Sequence, residues 1–229
     1  MDCNDIFESV SSGIDGKKTP ENGGMEEISN ELHRRCKLYE EELRNGKKHV
    51  SHFEVEQRIA ESYAKEHGLW IPMDDVFNLG IPGPSGNEND TYVSDNVIYK
   101  VNNLLNSGSI AKLLKKIILH NQTFPETQYK LYGFAGYDSR SVCPVLMQGL
   151  VKYALPATQI EIDMFMAALG FNKSDKIGKY FNNRIEVWDI VPRNVLKDKY
   201  GDMYVVDAEI KEIFASSQGV VDKSFFSLP

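Results

Sequence analysis

Residues 187–209 read VWDIVPRNVLKDKYGDMYVVDAE, which sets an aspartate, an asparagine and a second aspartate among apolar, strand-forming neighbours. Val195 and Leu196 begin one apolar run, KYGD is a turn and MYVVD is a second run, so the spacing predicts an antiparallel hairpin. A turn centred between Tyr200 and Gly201 makes the numbers of cross-strand partners sum to 401. That register sets Asn194 against Asp207, with Cβ atoms roughly 5 Å apart. An amide oxygen and a carboxylate at this separation can share a hard divalent cation; Mg²⁺ takes a few protein oxygens and completes its shell with phosphate and water. Asp189 stands five residues before Asn194, and Pro192 between them discourages a regular ladder, so the chain must loop and present that carboxylate nearby. A third acid beside a metal-bound phosphate suits a base or orienter for an incoming hydroxyl.

The rest of the composition bounds what such a site can serve. The 229 residues suffice for one sizeable core or two small lobes, and the formal charge of −7 gives no broad basic surface for gripping nucleic acid. Cys3, Cys36 and Cys143 are few, far apart and without a Cys-x-x-Cys pair, which predicts reduced thiols in a cytoplasmic setting. No secretory pattern opens the chain and its longest apolar stretch, IAKLLKKIIL, is broken by lysines, so no membrane span is expected.

Periodicity divides the chain. Residues 1–24 are polar and rich in glycine and predict a flexible tail. Residues 25–69 predict a helical extension: Ile28, Leu32, Cys36, Tyr39 and Leu43 form one stripe, and Val55, Ile59 and Tyr63 a second. Ser51 and Glu54 supply a capping box for the second helix, and Gly68 is its left-handed stop. His49 and His52, between these helices, have a metal-like spacing but no further ligand nearby and are expected in solvent. Residues 70–150 predict a sheet with a strand at VFNL, a Gly/Pro-rich loop, two strands, a helix carrying Ile110, Leu113, Leu114, Ile117 and Ile118 behind a Ser107 or Ser109 cap, and two more strands. Residues 151–229 predict a helix facing Ile162, Phe165, Met166 and Leu169 inward, then the hairpin.

Taken together, Asp189 and Asn194 at this spacing, with Asp207 thirteen residues later, resemble the catalytic loop and metal-binding aspartate of the protein-kinase-like superfamily. The wider run PSGNENDTYVSDNVIYKVNN … IILHN … GF … DIVPRNVLKDKYGDMYVVDAEI is similar to the small kinase domain of polyvalent proteins from bacterial mobile elements and phages. The resemblance spans about residues 70–211. It implies an α+β, two-lobed, C-terminally truncated kinase-like fold behind the N-terminal helical extension, using ATP and Mg²⁺. Position by position it implies that Lys100 holds the α- and β-phosphates and that Gly80, Gly83 and Gly86 cover the nucleotide. Backbone groups of Met147, Gln148, Gly149 and Leu150 would meet the adenine, Asn194 and Asp207 would bind the metal, and Asp189 would receive the acceptor hydroxyl.

Four features depart from that pattern. No glutamate lies between Lys100 and Glu126 to pair with the lysine, leaving His120, Asn121 and Glu88 as substitutes. Trp188 stands where an arginine is usual, DAE replaces D-F-G, and 22 residues follow Asp207. The expected acceptor is a protein hydroxyl, with a small-molecule hydroxyl close behind. A nucleotide-binding module that transfers nothing, or an adenylyl transferase, are the alternatives, and a protein partner is expected for so short a chain. Glu209 is left without a role.

Overall fold

The computed structural model describes residues 22–46 and 50–213. His49, Cys3 and most of the anticipated tail therefore lie outside the described residues. The architecture is mixed α+β. Two N-terminal helices, α1 (Asn22–Asn45) and α2 (His52–Glu66), precede β1 (Trp70–Pro72), β2 (Ile81–Pro82), β3 (Asn89–Ser94) and β4 (Val97–Asn102). Helix α3 (Ile110–Thr123), β5 (Tyr129–Gly136) and β6 (Val142–Gly149) follow, and these strands form one sheet in the order β1-β5-β6-β4-β3-β2. Then come β7 (Leu155–Pro156), α4 (Gln159–Ala168), β8 (Asn172–Lys173), β9 (Tyr180–Phe181), β10 (Ile185–Trp188), β11 (Val195–Lys197), β12 (Met203–Val205) and β13 (Glu209–Glu212), arranged as sheets β13-β10-β9-β8 and β12-β11-β7.

The helical stripes behave as their spacing demands. Ile28, Leu32 and Cys36 from α1 and Ala60, Tyr63 and Ala64 from α2 are buried, and most of them share one cluster with Leu113, Leu114 and Ile117 of α3 and with Leu131, Phe134 and Leu146 of the sheet. The helical extension is thus part of the main core and packs along α3. Ser51 and Glu54 form the anticipated capping box, Gly68 takes φ +67°, and Ser109 caps α3. Cys36 and Cys143 are free thiols, and His52 is exposed and bound to Glu40. No helix among the described residues is long and apolar enough to cross a membrane.

Glu56 adds a tie that periodicity does not foresee. Although only 3% exposed, it accepts the Ile110 and Ala111 amides, each at 2.9 Å, satisfying the first donors of α3 from another helix. Glu56→Ala strands both amides in the core, so it is expected to destabilise the protein by about 2–4 kcal/mol. Urea unfolding measures this, and a loss under 1 kcal/mol contradicts it.

A second cluster gathers Ile162, Met166, Tyr180, Val187, Ile190, Val195, Val205 and Ile210, and α3 reaches into it through Leu119 and Phe124 at its C-terminal end. Two local expectations change. VFNL is not a strand but the end of a 3₁₀ turn, Met73–Leu79; the pairing with β5 goes to Trp70–Pro72 instead, and the strand edge opens only after Gly80. Leu169 is 43% exposed because α4 ends at Ala168 and Gly170 turns the chain at φ +81°.

Candidate active site

The hairpin forms with a different register. Val195 pairs with Val205, Leu196 with Tyr204 and Lys197 with Met203, so partners sum to 400 instead of 401. The turn holds three residues, because Asp198 Oδ1 accepts the amides of Tyr200 and Asp202 at 2.8 and 2.9 Å while Gly201 adopts φ +95°. Asn194 therefore opposes Val206, whose amide donates to the Asn194 carbonyl at 3.0 Å. In a regular ladder this slip would send Asp207 to the face opposite Asn194. Neither residue is in a ladder. Asn194 ends a 3₁₀ turn, Pro192–Asn194, and Asp207 follows the end of β12, so both line the same cleft.

That cleft has a volume of about 710 Å³ and lies between the β2–β3 loop, the end of β6 and the segments 189–196 and 206–209; Lys100, Asp189, Asn194, Asp207 and Glu209 all border it. A second groove of about 820 Å³, between α2 and the β5–β6 turn, contains none of them. Asp189 sits at φ +62°, a left-handed conformation unusual for a residue with a side chain. Its carboxylate receives the Arg193 guanidinium and, at 2.9 Å, the Asn194 Nδ2. The same Nδ2 also donates to the Asp189 carbonyl at 2.9 Å, which turns the nitrogen inward and leaves Asn194 Oδ1 as the free end. Asp207 is exposed and makes no hydrogen bond or ion pair among the described residues. Two uncommitted oxygen donors of this hardness fit Mg²⁺.

Lys100 is 8% exposed and has no direct carboxylate contact among the described residues. Its Nζ donates to Tyr129 Oη at 2.8 Å and to the Val206 carbonyl at 3.1 Å, lies 4.8 Å from the Tyr129 ring centre, and Tyr129 Oη donates to the same carbonyl at 2.7 Å. Burial lowers the lysine's proton affinity, while the charges of Asp207 and Glu88 pull it back up. Tyr129 is thus the side chain that Lys100 contacts, and it also ties the chain just before Asp207 to the sheet. Thr127 adds a parallel tie, donating to the Val205 carbonyl at 2.6 Å.

The three anticipated substitutes do other work. Asn121 exchanges hydrogen bonds with the Tyr129 backbone, at 2.8 and 2.7 Å. His120 packs 4.9 Å from the Tyr129 ring and is held neutral, its pKa pushed down to about 3 by burial and then by the Lys100 charge. Glu88 pairs with Lys116. Nothing in the sequence near Tyr129 marks it as a partner for Lys100; the contact exists because both strands flank β6.

Of the three glycines, Gly86 borders the cleft and Gly80 and Gly83 do not. A Cβ on Gly80 would meet the Val93 carbonyl oxygen at 2.4 Å, and one on Gly83 would meet Thr91 Oγ1 at 2.7 Å, so close packing of β2 on β3 accounts for both. Gln148 is 2% exposed and donates inward to the Thr127 carbonyl at 2.7 Å. Leu150 borders the cleft, but its amide already donates to the Asn96 carbonyl at 2.7 Å. Gly149 borders the cleft beside it.

Residues 54–212 match the family described as a serine/threonine/tyrosine kinase found in polyvalent proteins. No curated protein and no solved structure gives a significant match. The match takes in the cleft, α2 and everything between them, and with it the chain belongs to the family of kinase domains found in polyvalent proteins.

Proposed function

We propose that the protein is an ATP- and Mg²⁺-dependent phosphotransferase with a two-lobed kinase-like fold, passing the γ-phosphoryl group to a hydroxyl, preferably on a protein. The observation that carries this reading is the meeting of Lys100, Asp189, Asn194 and Asp207 on one cleft. Lys100 would grip the phosphates as a buried cation with no acid partner in contact. The Pro84–Gly86 backbone would lie over them, and Gly149 would border the base. Asn194 Oδ1 and Asp207 would hold the cation. Among the described residues no three acidic, histidine or cysteine side chains group closely enough to hold a metal by themselves. A cation seated there would need further oxygens, which a nucleotide's phosphates offer, and it would supply charge neutralisation to the transferred group.

Asp189, fixed between Arg193 and Asn194, would orient the acceptor hydroxyl and take its proton as the O–P bond forms and the bond to the leaving diphosphate breaks. Alignment and charge account for most of the rate, since phosphoryl transfer asks for little covalent chemistry from protein groups. Parallel incubations with α- and γ-labelled ATP test the reading. Label from the γ position alone should reach an acceptor, and Asp207→Ala should reduce it by about 100-fold or more. Retention of the α label would mean adenylyl transfer. Mg²⁺-dependent nucleotide binding with no label on any acceptor would leave a silent binding module.

A further inference from the structure

A charged cluster borders the cleft and is used by none of the roles above. Lys116, on α3, sets its Nζ 3.0 Å from Glu209 Oε1 and 3.5 Å from Glu88 Oε2, with the three side chains 13%, 25% and 10% exposed. Glu88 closes the loop over the cleft and also accepts from Asn106 Nδ2 at 3.1 Å, while its Oε1 is buried without a partner among the described residues. Glu209 begins β13, two residues after Asp207. One residue earlier on α3, Lys115 meets Glu212 of β13 at 2.7 Å. The helix is thus fastened by two lysines to the segment that follows the proposed metal ligand.

The charges decide what this fastening does. Glu88 and Glu209 both border the cleft with Asp207, so without a cation they would repel each other and any phosphate placed there. Burial alone would weaken the Lys116 ammonium, yet the Glu209 and Glu88 carboxylates raise its pKa above the ordinary value. Lys116 therefore stays charged and holds the loop and the Asp207 segment at a set separation. Resting on the phosphotransferase reading, we infer that Lys116 is a positioning residue for the cation seat. It links α3 to Asp207 through Glu209, and to the loop through Glu88, with the helix supplying the cation and the site the acids.

Wild type, Lys116→Met, Lys116→Arg and the exchanged pair Lys116→Glu with Glu209→Lys distinguish this from plain packing. The readouts are the Mg²⁺ concentration for half-maximal transfer, and ADP affinity by calorimetry with and without Mg²⁺. Outer groups that hold metal ligands typically change metal affinity by about 10- to 100-fold. Lys116→Met should shift both Mg²⁺-dependent readouts by that factor and lower metal-free ADP affinity by a smaller factor, since there only the lost positive charge acts; Arg should restore them, and the exchanged pair should recover part of the loss. Unchanged Mg²⁺ dependence in Lys116→Met, or a loss that Arg does not restore and that follows a falling melting temperature, overturns the proposal. If wild type transfers nothing, the phosphotransferase reading fails, and the Mg²⁺ dependence of ADP binding still decides the role of Lys116. If wild type binds no ADP with Mg²⁺, both fail.

Discussion

On the proposed phosphotransferase reading, Asp189→Asn is expected to lower γ-phosphate transfer by about 10²- to 10⁴-fold, the range that removal of a positioned general base produces, with ATP affinity staying within about threefold. The substitution is chosen for its fit. Asparagine tolerates the left-handed conformation at φ +62° better than other residues that lack a carboxylate, so the loop keeps its shape. An amide oxygen can still accept from Asn194 Nδ2, whereas the ion pair with Arg193 is lost along with the proton acceptor. The measurement is the split between kcat and KM for ATP. A variant with wild-type kcat removes Asp189 from the chemistry; one with wild-type kcat and a raised KM makes it a binding group only.

On the same reading, Lys100→Met is expected to lower kcat/KM for ATP by a similar 10²- to 10⁴-fold. Two charge-assisted hydrogen bonds to phosphate, at about 1.5–3 kcal/mol each, correspond to that range at 1.4 kcal/mol per tenfold. Its effect on stability has the opposite sign. Burial disfavours the ammonium form of Lys100, and its two contacts are neutral oxygens that remain bonded to each other when it is gone, through Tyr129 Oη and the Val206 carbonyl. Methionine leaves no orphaned polar group and fills similar space, so the melting temperature should hold or rise. Thermal unfolding and steady-state kinetics on the same preparation check both halves. A marked fall in melting temperature would mean that Lys100 is structural, and unchanged kinetics would remove it from the phosphate site.

Legibility in the sequence follows the range of the forces involved. The Ser51–Glu54 box and the Gly68 stop are local features within a few residues that the spacing of side chains alone reveals, and spacing narrowed the α3 cap to Ser107 or Ser109, of which Ser109 serves. The buried stripes of α1, α2 and α3 were equally plain, since a helix that must bury one face repeats its apolar residues with the helical period. The hairpin register was missed by one residue because a side chain, Asp198, gathers two amides and enlarges the turn. Leu169 was misread because periodicity continued one step past the end of the helix.

The site divides in the same way. Asp189, Asn194 and Asp207 could be named from residue type and separation and Lys100 from the resemblance they carry, and the match over residues 54–212 agrees with the family that they suggested. By itself the sequence determined which helices would form and which family the chain resembles, because those depend on local geometry and on the order of residues along the chain. Only the tertiary structure decided that Tyr129 stands at Lys100, that Glu56 caps a helix 54 residues away, and that Lys116 bridges Glu88 and Glu209. Such contacts depend on which strands are neighbours and on what burial demands of a charge once water is excluded, and neither leaves a mark at any single position.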